Sequence, residues 1–128
     1  MTSPSKRALK NFYTLLFSGK FSKAERALER IKKRYKLGDD DGYYRALYGI
    51  YYAYSTEDRN SFLFELWRRY LEGESIRSLR RSFREALKKI YEPPADFIQA
   101  WLDLIGMLGE LPTPHKLKPS EVKKQEEL

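Results

Sequence analysis

The sequence predicts an all-α fold, and three observations predict it. Apolar residues recur at three- and four-residue spacing in six separate stretches, the pattern of side chains gathered on one face of a helix. No stretch alternates polar and apolar residues as a half-buried strand does, and Asp41-Gly42 leads into a helical pattern instead of a hairpin. The breaks between stretches are short and hold Gly, Pro, Ser or Asp, so consecutive helices are expected to be antiparallel neighbours.

The first helix is marked by Leu9, Phe12, Tyr13, Leu16 and Phe17 and should end at Ser18-Gly19-Lys20. In the second, Ala24, Ala27, Leu28, Ile31 and Tyr35 share a face, and Gly38 is expected to take the left-handed conformation that ends it. Asp39, Asp40 and Asp41 then cap a third helix, GYYRALYGIYYAYS, whose wheel is apolar almost all round and therefore enclosed on both sides. The run Ser55-Thr56-Glu57-Asp58 is expected to cap a fourth, carrying Phe62, Leu63, Leu66, Trp67, Tyr70 and Leu71. Beyond Gly73 and Ser75 a fifth has a stripe of Ile76, Leu79, Phe83, Ala86, Leu87 and Ile90. Pro93 and Pro94 stop it and start a sixth, with Phe97, Ile98, Trp101, Leu104, Ile105 and Leu108. The expected architecture is three stacked antiparallel helical hairpins over residues 1–110, one domain. A charged, Pro-containing tail, 111–128, is expected to be flexible and ordered only on binding.

A chain of 128 residues is about one domain, and 41% hydrophobic residues place it among globular proteins. It has no cysteine, which excludes a disulfide framework, thiolate zinc sites and a cysteine nucleophile. The N-terminal apolar run is interrupted by polar residues and no small-residue cleavage site follows, so no leader is expected. No stretch reaches the roughly 18 apolar residues of a membrane span, and a cytoplasmic protein without membrane contact is the simplest reading. Few Asn, Gln and Met beside abundant Lys, Arg and Glu resemble the bias of heat-adapted proteins.

The stretch Gly19-Lys20-Phe21-Ser22-Lys23-Ala24, followed by Leu28 and Ile31, resembles the turn and second helix of a tetratricopeptide repeat, with Gly19 at the turn and Phe21 and Ala24 between the helices. The match covers about one repeat. Tyr48-Gly49 and Tyr52 stand where that family has its Leu-Gly and Tyr, but Thr56 and Asp58 replace its turn glycine and aromatic. The resemblance implies a stacked-hairpin shape and no particular ligand-clamping residues.

Charge carries the functional signal. Ser75–Lys89 holds six cations against one acid, a net +5 in a chain whose total is +7. On a helical wheel Arg80, Arg84, Arg77, Lys88 and Arg81 occupy about 40 to 140° from Ile76, one flank of the exposed arc. Lys23, Arg26, Arg30 and Arg34 do the same on the second helix. Like charges one turn apart repel, and arginine forks suit phosphate oxygens, so these nine residues are candidates for nucleic-acid contact. The competing explanation is internal pairing: Glu85 with Arg81 and Lys89, Glu74 with Arg77, and Glu65 or Asp103 with the rest. The tyrosines of the third helix are expected in the core, with base stacking as the alternative.

In the sixth helix the apolar arc spans about 200°, wider than one buried face requires. As the last of a stack it would offer Phe97, Ile98, Trp101, Leu102, Ile105 and Leu108 to the tail, a second copy or another protein, and a homodimer is expected. His115 is the lone histidine, which leaves no histidine pair for a metal and no triad, and the Asp run lacks the spacing of a calcium loop. No metal, cofactor or catalysis is expected. The sequence thus predicts a non-catalytic basic module docking on structured RNA or a ribonucleoprotein such as the ribosome. The alternative is a tetratricopeptide-like protein adaptor that binds no nucleic acid.

Overall fold

The Ser5 hydroxyl accepts a hydrogen bond from Ala8 N (3.1 Å) and so starts the first helix, α1 (Lys6–Phe17). The structure, a computed structural model, describes residues 3–90 and 93–117. Five further helices follow: α2 (Phe21–Arg34), α3 (Gly42–Ser55), α4 (Phe62–Leu71), α5 (Ile76–Ile90) and α6 (Ala95–Gly106), then a single 3-10 turn, Leu108–Glu110. Among the described residues there is no strand, and no helix is long and apolar enough to cross a membrane.

Helices α1 to α4 close alike. The amide three residues past each end reaches back to a carbonyl five residues earlier: Lys20 to Leu15, Leu37 to Lys32, Asp58 to Ala53 and Glu74 to Arg69, all at 2.9–3.0 Å. This geometry demands a left-handed residue. Gly19 (φ 84°) and Gly73 (φ 106°) supply it after α1 and α4, but Lys36 (φ 55°) does so after α2 and Glu57 (φ 56°) after α3. The expected role of Gly38 therefore falls to Lys36, because the closure requires Leu37 next, and Leu37 is buried. Asp41 caps α3 as expected, accepting from Tyr43 N and Tyr44 N. The Ser55–Asp58 run does not cap α4. Thr56 turns back to Tyr52 O at the end of α3, and Ser61 stands at the start of α4.

Consecutive helices pack as neighbours, α1 most extensively on α2, but the broadest interface joins α3 to α6, which are not consecutive. Gly42 lets them meet: a Cβ there would collide with the Asp96 carboxylate. The Tyr43 hydroxyl donates to Asp103 Oδ2 at 2.6 Å across the same interface. Helix α6 is thus internal and not the end of a stack, which accounts for its wide apolar arc. Leu102, Ile105 and Leu108 are buried in the chain's own core, correcting their expected place on a protein interface. Phe97, Ile98 and Trp101 remain half-buried, Trp101 in a ring cluster with Phe62 and Phe83 at 5.5–5.6 Å.

The segment after the 3-10 turn also departs from expectation as far as Leu117. Pro114 and Leu117 are buried, and His115 N donates to Phe17 O at 2.9 Å. The Tyr54 hydroxyl accepts from Lys116 N and lies 2.8 Å from His115 Nδ1. Lys116 Nζ reaches the last carbonyls of α3, Tyr54 O and Ser55 O, while Arg59 binds Lys116 O. Residues 111–117 are a strap over the ends of α1 and α3, tied down because these polar groups complete one another. The rest of the expected tail, 118–128, lies outside the described residues.

Two outcomes follow from these helix ends and buried phenols. Lys36 is exposed and holds a left-handed conformation that costs a side chain about 1 kcal/mol, so Lys36→Gly should raise stability by about 0.5–1 kcal/mol in urea unfolding. Burial pushes the Tyr54 phenol up from 10.0 to about 12, and also raises Tyr13 and Tyr43, with Asp103 adding to both. An unfolded tyrosine ionises near 10.0 while these resist, so the unfolded chain binds fewer protons above that pH. The melting temperature should hold steady up to about pH 10 and fall between 10 and 12, with the exposed tyrosines ionising first and a second rise in phenolate absorbance, that of the buried rings, accompanying unfolding.

Candidate nucleic-acid interface

Helix α5 owes its sidedness to two neighbours. Leu79 and Phe83 are buried, and Ile76 and Leu87 partly so, facing α4 and α6. Ala86 is exposed, outside the stripe expected for it, and the Ile90 side chain lies outside the described residues. The serines occupy the flank beside α4. Arg69 donates through Nε and Nη2 to the two oxygens of Glu74, both at 2.7 Å, and through Nη2 to Ser82 Oγ, also at 2.7 Å. Glu65 Oε2 lies 3.2 Å from Arg69 Nη1, and Ser78 Oγ donates to Glu74 Oε2 at 2.6 Å. Hydrogen bonding from Arg69 and then Ser78 holds the Glu74 carboxyl below the ordinary carboxylate range.

This network decides the electrostatics of the opposite flank. Glu74 and Glu65 are taken by Arg69, and Asp103 by Tyr43 and Gln99, whose Nε2 donates to Oδ1 at 2.8 Å. Among the described residues, Arg77, Arg80, Arg81, Arg84 and Lys88 make no ion pair within 4.0 Å. The expected pairings Glu85–Arg81, Glu85–Lys89 and Glu74–Arg77 do not form. These five cations and Glu85 line a groove of about 400 Å³ whose walls are side chains of α5 alone. Arg77, Arg81, Arg84 and Lys88 are exposed. Arg80 leans toward α6, where Nη2 lies 3.5 Å from Leu102 O and a Cβ on Gly106 would collide with its guanidinium.

On α2, Lys23, Arg26, Arg30 and Arg34 are all exposed and likewise without an ion pair among the described residues. They flank α1, since Arg30 and Arg34 line a hollow of about 150 Å³ with Ala8 and Asn11. The acidic flank faces α3: Glu29 adds to the raised Tyr44 phenol and Glu25 to that of Tyr51, both of which burial raises first. Lys32 pairs there with Asp39 and stands 4.8 Å over the Tyr44 ring. Arg30 and Arg34 of α2 thus lie on one side of α1, and Arg80 of α5 shares a hollow with Lys6 and Leu9 on the other. Sequence reasoning passed over that helix, yet its exposed edge adds Lys6, Arg7 and Lys10. Their signal was present as three basic residues within the first five of the helix.

The tyrosines of α3 divide. Tyr43 and Tyr54 are core and Tyr44 and Tyr51 half-buried, but Tyr48 and Tyr52 are 48% and 57% exposed, which corrects their expected burial. Tyr48 lies 6.2–6.3 Å from Tyr44, Tyr51 and Tyr52. No three metal-binding side chains gather among the described residues.

No family model matches the chain, and neither a curated protein nor a solved structure matches it, so the reading of this surface rests on its own geometry.

The Arg69–Glu74 fork has a signature in acid. Its depressed carboxyl adds stability that is fully present above the unfolded value of 4.5 and is lost as pH falls through the lower folded value. Glu74→Gln should lower stability at neutral pH by about 1 kcal/mol and make unfolding below pH 4.5 less steep than in the wild type, as followed by circular dichroism against pH.

Proposed function

We propose that the protein is a non-catalytic module that docks on structured RNA, free or within a ribonucleoprotein such as the ribosome, through the cationic faces of α5 and α2. The observation that carries the reading is the allocation of acids. Glu65, Glu74 and Asp103, the carboxylates expected to neutralise the α5 cations from outside the helix, are held by other partners, and among the described residues Arg77, Arg81, Arg84 and Lys88 are exposed without an ion pair. Repulsion among them is relieved by an external polyanion, and planar guanidiniums one helical turn apart match phosphates along a backbone. The cations project from helix surfaces, a placement that favours affinity from backbone and shape.

A second reading, protein docking without nucleic acid, draws on the exposed rings of Tyr48 and Tyr52. A homodimer through α6 would have Phe97, Ile98 and Trp101 as its remaining contacts.

Titration with a structured RNA, a DNA duplex and an acidic peptide across a salt series separates the two readings. RNA affinity should fall linearly in log salt, and Arg77→Ala/Arg81→Ala/Arg84→Ala should reduce that slope by about one for each phosphate no longer neutralised. Arg80 is left in place because it also contacts α6. If the triple variant melts differently but binds RNA as the wild type does, the cations serve stability. Saturable peptide binding with no RNA binding favours the adaptor.

A further inference from the structure

The cations of α2 and α5 reach toward the same helix. Arg30 and Arg34 line the hollow on one side of α1, with Ala8 and Asn11. On the other side, Lys6 and Leu9 of α1 share a hollow of about 280 Å³ with Arg80, Asp103, Gly106 and Met107. Arg80 lines both this hollow and the α5 groove, so the two openings adjoin. Arg7, between these flanks on the wheel of α1, is exposed and makes no ion pair among the described residues.

We infer that α1 joins the cationic faces of α2 and α5 into one continuous track, and that this track takes the base-paired, helical part of an RNA along its sugar-phosphate backbone. The inference rests on the RNA reading above and extends it to the form of the ligand. Lys23–Arg34 and Arg77–Lys88 each run about 16 Å along their helices, at about 1.5 Å per residue. Neighbouring helix axes lie about 8–10 Å apart, and the end of α6 at Gly106 and Met107 stands between α1 and α5, so the surface from α2 across α1 to α5 is on the order of 20–30 Å wide. It is a broad patch instead of a thread. A patch of that breadth meets the two backbones of a duplex at once, whereas one flexible strand occupies only a strip of it.

Aromatic placement points the same way. Recognition of unpaired bases relies on exposed rings on which the bases stack. Among the described residues the most exposed rings, Tyr48 and Tyr52, belong to the tyrosine face of α3, beyond the flank of α2 that carries Glu25 and Glu29. Tyr35, the one aromatic ring lining the hollows between α1 and its neighbours, is half-buried, and its hydroxyl accepts from Ser5 N at 3.1 Å. Among the described residues the track offers cations and no exposed stacking ring. Three acids among the described residues lie within it: Glu85 in the α5 groove, Asp103 in the α1–α6 hollow, and Glu110, which pairs with Lys6 at 2.7 Å and Lys10 at 3.8 Å. Asp103 is already hydrogen-bonded to Tyr43 and Gln99. Glu110 leaves Arg7 as the cation at the crest with no carboxylate beside it.

The test compares an RNA duplex of about 20 base pairs with an unstructured RNA strand of about 20 nucleotides, each over a salt series, for four variants whose folding is checked by thermal melting. Arg7→Ala, Arg30→Ala/Arg34→Ala and Arg81→Ala/Arg84→Ala should each weaken duplex binding and flatten its salt slope by about one per cation removed, and Arg7→Lys should keep the wild-type slope that Arg7→Ala reduces. The duplex should bind more tightly than the strand at every salt concentration. Wild-type slopes for Arg7→Ala and Arg30→Ala/Arg34→Ala, beside a reduced slope for Arg81→Ala/Arg84→Ala, overturn the continuous track and leave the α5 site standing. Equal or tighter binding of the strand overturns the duplex assignment. If Arg81→Ala/Arg84→Ala also binds both probes as the wild type does, the RNA reading itself falls.

Discussion

Helix α6 has more apolar surface than one neighbour can cover, and α3 has the same excess; their burial against each other is the contact on which the rest of the structure depends. It returns the chain to its middle after α5, closing what would otherwise be an open row of hairpins. The closure brings α3 at Gly42 close to the Asp96 carboxylate, and it draws Asp103 to the Tyr43 hydroxyl. It also leaves α6 enclosed between α3 and α5. The cationic flank of α5 then turns outward beside the end of α6, because its apolar and serine sides are occupied.

The charge distribution follows from that placement. A carboxylate pairs with the cation that can be held with least loss of freedom, and for Glu74 this is Arg69, which the helix-ending turn between them brings into fork geometry. Arg77 follows Glu74 by three residues but lies beyond the turn, pointing to solvent. With Arg69 collecting Glu65 and Glu74 together, the acids concentrate on one side of the α4–α5 pair and the unpaired arginines on the other. The separation is a product of local geometry, and it leaves a strong field on one face of a small protein.

All six helices were legible in the sequence, because burial of one face imposes its spacing on residues such as Ala24, Ala27, Leu28 and Ile31 whatever the partner is. The cationic stripes were legible for the same reason: Arg77, Arg81 and Arg84 repeat at the spacing of a helix. Periodicity states that a face is covered and is silent on what covers it. Hence Leu102, Ile105 and Leu108 read as an open surface, although α3 and its neighbours bury them. The left-handed turn at Lys36 was hidden because lysine is an uncommon residue there and Gly38, two positions on, looked better suited. The partners of Glu74 and Asp103 depended on side-chain reach between helices, and the role of Arg7 on where α1 lies relative to α2 and α5. The strap was illegible because a lone histidine and lysine in a Pro-containing stretch acquire meaning only beside Tyr54 and Phe17.

That strap carries a temporal implication. His115 and Lys116 find their partners some 61 residues back along the chain, at a phenol and at carbonyls that exist as a surface only once α1 and α3 have assembled. Loops of that span close late, since their entropy must be surrendered before any contact compensates for it. The seven residues before position 118 therefore act as a seal laid over the ends of α1 and α3, in place only while both helices hold their positions.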